Sequence, residues 1–222
     1  MEIKYIVTDL NGTLIDAMPA YTRIFSDILR RRAGLDSPEI AKYSANAAGT
    51  PWDEQFAAVL EKNHLPKDAA AQMVDEFCSL ADKEKYSLYP GAEDLLKFFR
   101  EKGYKVYATS ASGTGTMIRR IYEMGILPYV DFLLGFDVCK KSPKHIVMLA
   151  EKERLPLGDF TSHAVYFGDG PGDMRLAQAV GIFAVAVAQT VGRDRLLEAG
   201  ADLVIDRIGE ALSIDYERLE RG

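Results

Sequence analysis

Apolar residues along the chain fall into two textures. Short, largely apolar runs at 3–7, 105–108, 131–136, 164–167, 182–188 and 202–205 read as buried strands. Between them stand segments whose apolar residues recur three and four apart. One carries Leu95, Leu96, Phe98 and Phe99 behind Tyr89-Pro90-Gly91, a second Met117, Ile118, Ile121 and Met124, and a third Ile146, Val147, Leu149 and Ala150 behind Ser142-Pro143. The stretch 171–180 is a fourth. Gly103, Gly125 and Gly181 supply stops, and Ser142 with Pro143 an N-cap and first-turn proline. Alternating strand and helix predicts a parallel sheet.

From 17 to 88 the texture changes. No strand pattern is present, and three helical stripes are: Ile24, Phe25, Ile28 and Leu29 in 19–32; Trp52, Phe56, Val59 and Leu60; and Met73, Val74, Phe77 and Leu80 or Ala81 in 67–85. Thr50 is expected to cap the second, with Pro51 at its first position. The expected fold class is α/β, a Rossmann-like parallel-sheet core made of 1–15 and 89–222, with an all-helical domain inserted at 16–88.

Composition narrows the functional classes. A chain of 222 residues, 48% hydrophobic and 27% charged, suits one core domain with an insertion. Its net charge of −6 argues against a nucleic-acid partner, because a phosphate backbone rewards a basic face. Arg30-Arg31-Arg32 is the dense cationic spot and reads as the solvated end of a helix. Cys78 and Cys139 have no metal spacing and suit a reducing cytoplasm. The chain opens on a strand without an apolar leader, and no apolar run approaches the ~20 residues of a membrane helix, so no membrane partner is expected. His64, His145 and His163 lack motif context and read as surface or loop residues; oligomeric state is not legible.

The chemistry lies where strands end. The first runs into Asp9-Leu10-Asn11-Gly12-Thr13, the second into Thr109-Ser110, and the fourth into Gly168-Asp169 with Asp173 four residues on. Open α/β sheets keep ligands at these ends. With Lys140 and Lys141, the four motifs in this order resemble the haloacid dehalogenase-like superfamily, most of whose members are magnesium-dependent phosphatases, and within it the phosphoglycolate phosphatase-like branch with an α-helical cap.

The resemblance implies a set of roles. Asp9 would be the nucleophile, Lys141 the motif-three lysine with Lys140 a weaker candidate, and Thr109 with Ser110 the phosphate grip. Leu10, Gly12 and Thr13 would border the substrate. Mg²⁺ would be held by Asp9, the main-chain carbonyl of Asn11, Asp169 and Asp173. The loop 46–51, with Asn46, is similar to the family's cap loop that reaches toward a small phosphorylated substrate; as plain structure it is a turn and cap.

One residue departs from the pattern. Phosphatases of the family carry a second Asp where this chain has Asn11, and the position serves as general acid and base. An amide cannot pass a proton, a deficit of about 10² to 10⁴ in rate. Asn11 therefore leaves several accounts open: an Asp-to-Asn variant of an ordinary phosphatase, altered chemistry, or a scaffold that binds a phosphorylated ligand or partner without turnover. Dehalogenation is a further account, against which Asp169 and Asp173 speak, since it needs no metal.

Overall fold

The computed structural model describes residues 2–48, 50–139 and 141–219. Six strands, β1 (Tyr5–Asp9), β2 (Lys105–Thr109), β3 (Phe132–Leu134), β4 (Ala164–Gly168), β5 (Phe183–Val187) and β6 (Leu203–Ile205), form one parallel sheet in the order β3-β2-β1-β4-β5-β6. This is the doubly wound order. The chain leaves β1 toward one edge, then returns to place β4 on its other side, so the C-terminal ends of β1 and β4 flank the topological switch point. Every residue of β4 and β5 is buried, as expected for strands covered on both faces.

The covering helices are α5 (Ala92–Glu101), α6 (Thr114–Glu123), α7 (Pro143–Lys152), α8 (Leu157–Thr161), α9 (Pro171–Val180) and α10 (Arg193–Glu198). The run 131–136 yields only the three residues of β3, and Phe132 is 38% exposed. It is an edge strand with a single neighbour, not the buried strand its composition suggests. His145 also departs from expectation: it lies buried in α7, its Nε2 2.9 Å from the Cys139 carbonyl oxygen.

Residues 18–81 form α1 (Met18–Ala33), α2 (Pro38–Asn46), α3 (Trp52–Lys62) and α4 (Ala70–Ala81). Of these, α2 has no counterpart in the sequence reading. The stretch 67–85 resolves into a 3-10 turn, Lys67–Ala69, and α4, which stops at Ala81 so that the chain can return to the core. At α3, Pro51 itself occupies the N-cap and no side chain caps the helix, so Thr50 does not play the expected part. The stripes meet in an aromatic cluster with Trp52 and Phe77 centroids 4.0 Å apart and Phe25 and Phe56 4.4 Å apart. Burying each such side chain stabilises by roughly 1.5–3 kcal/mol. The block joins the sheet through two adjacent crossings, where Ile15 bridges Leu88 and the Asp16 N–H donates to the Ser87 carbonyl at 2.9 Å.

Candidate active site

Two glycines determine how closely the carboxylates approach. After β1 the chain folds back as the Leu14 and Ile15 amides both donate to the Leu10 carbonyl, at 2.9 and 2.8 Å. Gly12 takes φ +93° within this loop, and a Cβ there would lie 2.2 Å from Asp169 Oδ2. Only glycine tolerates both the dihedral and the contact. At the end of β4, a Cβ on Gly168 would lie 2.4 Å from the Asp173 Cβ. The loop backbone and both acids therefore pack into a space without room for ordinary side chains.

Asp9, Asp169 and Asp173 meet there with ligand oxygens all within 4.8 Å of one another. They are 6%, 1% and 0% exposed. The Lys141 ammonium sits between two of them, 2.8 Å from Asp9 Oδ1 and 2.6 Å from Asp173 Oδ1. Tyr166 donates its hydroxyl to Asp173 Oδ1 at 3.1 Å, and the Gly170 amide donates to Asp173 Oδ2 at 3.1 Å. Thr13 donates to Asp169 Oδ1 at 3.3 Å, while Asp169 Oδ2 is buried without a hydrogen-bond partner among the described residues.

Three carboxylates facing one ammonium leave negative charge uncompensated in a dry site. Burial raises the Asp9 carboxyl to about 6 although Lys141 pulls it down. Burial, then Asp173 and Asp9, push Asp169 well above the ordinary range. Burial alone would favour loss of the Lys141 proton, but Asp173 and Asp9 outweigh it and hold the lysine well above its ordinary value. A purely oxygen donor set, an excess of negative charge and an unpartnered carboxylate oxygen fit a hard divalent cation such as Mg²⁺.

Asn11 is clamped. Arg120 Nη1 donates to Asn11 Oδ1 at 2.9 Å, and Asn11 Nδ2 donates to Ser110 Oγ at 3.2 Å and Ser112 Oγ at 3.3 Å. Arg120 is 4% exposed. It also donates to the Tyr21 hydroxyl and, at 3.3 Å, to the Ala81 carbonyl, and its guanidinium lies 4.6 Å from the centroid of Tyr86. One core side chain thus ties the β1 loop to α1 and to the end of α4. The sequence reading missed Arg120, although a signal was present: 117, 120, 121 and 124 share one helical stripe, and a charge on that stripe needs buried partners.

A cavity of about 40 Å³ opens beside these groups, lined among others by Asp9, Asn11, Ser110, Ser112 and Lys141. Thr109 does not reach it. Its hydroxyl lies 3.1 Å from the Tyr166 hydroxyl, and it is fully buried beneath the site, so Ser110, one residue on, presents the hydroxyl instead. Leu10 points into the core and leaves only its backbone to the site. Asn46 is not among the lining residues; Ala48 and Thr50 of the same loop are. Lys140, like Gly49 of that loop, lies outside the described residues. Gln189, also unforeseen, donates Nε2 to the Gly12 and Thr13 carbonyls at 3.3 Å each and braces the loop.

Comparison with known proteins follows the same lines. The family described as haloacid dehalogenase-like hydrolase matches residues 3–181. A phosphoglycolate phosphatase of Rhodobacter capsulatus is 27% identical over 191 residues, covering 80% of each chain. One from Pseudomonas savastanoi pv. phaseolicola is 24% identical over 213 residues, covering 91% of this chain and 76% of that protein. Among solved structures, the haloacid dehalogenase-like family protein SP0104 from Streptococcus pneumoniae superposes with a TM-score of 0.80 at 24% identity, covering 95% of this chain and 97% of the other.

Proposed function

Because the chain belongs to the haloacid dehalogenase-like hydrolase family, we propose that it is a Mg²⁺-dependent phosphatase of a small phosphorylated compound, with α1 to α4 as a cap over the site. The observation that carries this reading is the meeting of Asp9, Asp169 and Asp173 around Lys141 at the switch point of the sheet.

Asp9 and Asp169, with the Asn11 main-chain carbonyl, would hold the cation, and Asp173 adds charge while its oxygens stay engaged by Lys141, Tyr166 and Gly170. When bound, Mg²⁺ draws negative charge off the phosphoryl oxygens. Asp9 attacks phosphorus: its carboxylate oxygen bonds to phosphorus as the bond to the leaving oxygen breaks, and that oxygen keeps the electron pair. Lys141, Ser110 and the Asn11 amide hold the phosphoryl group in line. Water then attacks phosphorus, the Asp9–phosphorus bond breaks, phosphate leaves with the water oxygen, and the carboxylate is restored.

Asn11 donates hydrogen bonds but neither gives nor takes a proton, so the water step lacks a base and the acyl phosphate is long-lived. Rapid mixing with 4-nitrophenyl phosphate and Mg²⁺ tests this. The expected result is a burst of nitrophenol near one equivalent of enzyme, followed by slow turnover, with a phosphoryl group on Asp9 in peptide mapping. Asn11→Asp should raise the slow phase by about 10² or more. Absence of both burst and turnover, in this protein and in Asn11→Asp, overturns the reading. The clamp on Asn11 favours a second reading, a non-hydrolytic binder of phosphorylated ligands, which tight binding of phosphate esters without any burst would support.

A further inference from the structure

A second chamber adjoins the small one. It has a volume of about 190 Å³ and shares Trp52, Ala111 and Lys141 with it, so the two border the same side chains. Val74, Cys78 and Phe136 complete most of its wall. Among the described residues lining it, the cation is Lys141, already committed to Asp9 and Asp173, and the acid is Asp53, which has partners of its own. The small chamber has room for little beyond a phosphoryl group, and the large one is a mainly apolar space where the rest of the substrate must sit.

The second observation concerns protons. Position 11, beside the nucleophile, holds an amide whose oxygen faces Arg120 and whose nitrogen faces Ser110 and Ser112. Arg120 leaves that amide one orientation, with N–H groups toward the serines. Of the other side chains of the small chamber, Lys141 is held by its two carboxylates, and the Tyr21 hydroxyl accepts a hydrogen bond from Arg120. With an amide in place of an acid at position 11, a leaving oxygen departs as an anion. Phenols ionise at about 10, whereas water, and alcohols like it, are far weaker acids; the first class leaves without help and the second does not.

We propose, resting on the phosphatase reading above, that the substrate is an aryl phosphate, its ring seated against Trp52 and Phe136 in the apolar chamber and its phenolate oxygen expelled unprotonated. Bond changes are those given above: the Asp9 oxygen bonds to phosphorus, the phosphorus–aryl oxygen bond breaks, and the electron pair remains on the aryl oxygen. The apolar chamber selects the ring and the amide selects the leaving group, so two separate features converge on one chemical class.

Phenyl phosphate, benzyl phosphate and 2-phosphoglycolate discriminate. Benzyl phosphate carries the ring but leaves as an alkoxide, and 2-phosphoglycolate places a carboxylate in the chamber. With Mg²⁺, kcat/KM, which reports the first chemical step, is expected to be at least about 100-fold higher for phenyl than for benzyl phosphate, the lower bound of general acid assistance. Calorimetry with Mg²⁺ should find phenylphosphonate bound at least ten-fold more tightly than phosphonoacetate. Benzyl turned over as fast as phenyl phosphate reveals a proton donor and overturns the proposal, as does 2-phosphoglycolate exceeding both. Silence toward all three and toward acetyl phosphate, with no burst, is instead the failure of the phosphatase reading, and the proposal falls with it.

Discussion

Asn11 and Arg120 form a unit that neither residue defines alone. A free Asn side chain can present either its oxygen or its amide; here a buried guanidinium takes the oxygen and two serines take the nitrogen. Replacing Arg120 by Met keeps much of the volume and removes the donors, leaving Asn11 Oδ1 unpaired, while the Ala81 carbonyl keeps the Tyr86 hydroxyl at 2.7 Å. Arg120→Met is therefore expected to lose about 1–3 kcal/mol of stability, measured as a lower denaturant midpoint with an unchanged slope. An unaltered midpoint would show that the guanidinium stabilises nothing. Arg120 could be suspected from its place on a buried stripe, but its partners could not, because they lie 99 and 109 positions away.

The loop after β1 is the element on which the site depends. Its backbone passes against Asp169 because Gly12 has no Cβ, and any other residue meets both the contact and the positive φ. Gly34, at φ +67°, closes α1 with nothing within 4 Å, so the pair separates the two costs. Gly34→Ala should lose about 1–2 kcal/mol from the left-handed dihedral alone. Gly12→Ala should lose that and also displace Asp169, abolishing the rise in Tm on adding Mg²⁺ while circular dichroism shows the fold retained. A Gly12→Ala protein that keeps the full Mg²⁺ response would remove this loop from the cation site. The strand-end motif was plain in the sequence, whereas the reason Gly12 must be glycine is a contact with residue 169.

For the whole molecule, the buried acids tie stability to pH and to metal. Burial raises Asp9 from 3.8 to about 6 against the pull of Lys141, and Asp169 moves in the same direction. The folded metal-free protein thus keeps protons that the unfolded chain has released. Their contribution to stability is fully present below the unfolded value near 3.8 and is lost as pH rises through about 6. A divalent cation requires the ionised carboxylates and offsets their repulsion. The Mg²⁺-induced increase in Tm should therefore be small near about pH 5 and large near about pH 7.5, approaching about 2.7 kcal/mol of stabilisation at a hundred-fold excess over Kd. Differential scanning fluorimetry at both pH values measures it, and an equal shift at each would mean that Mg²⁺ binds elsewhere.

The sequence by itself determined the elements, α2 excepted, and their order. Apolar runs mark strands and spaced stripes mark helices because burial on a sheet or a helix face imposes those periods locally. It also marked Asp9, Asp169 and, four residues on, Asp173 as candidates, since a polar knot at the end of a buried strand stands out in one dimension; Lys141 entered only through the family resemblance. Only the tertiary structure decided which of two neighbouring hydroxyls faces the site: Thr109 turns to Tyr166 and Ser110 to the cavity. It likewise decided that Arg120 holds Asn11 and that residues of α3 and α4 line a mainly apolar chamber beside the site. Those outcomes depend on strand register and on contacts across a hundred positions or more, where no local period carries the information.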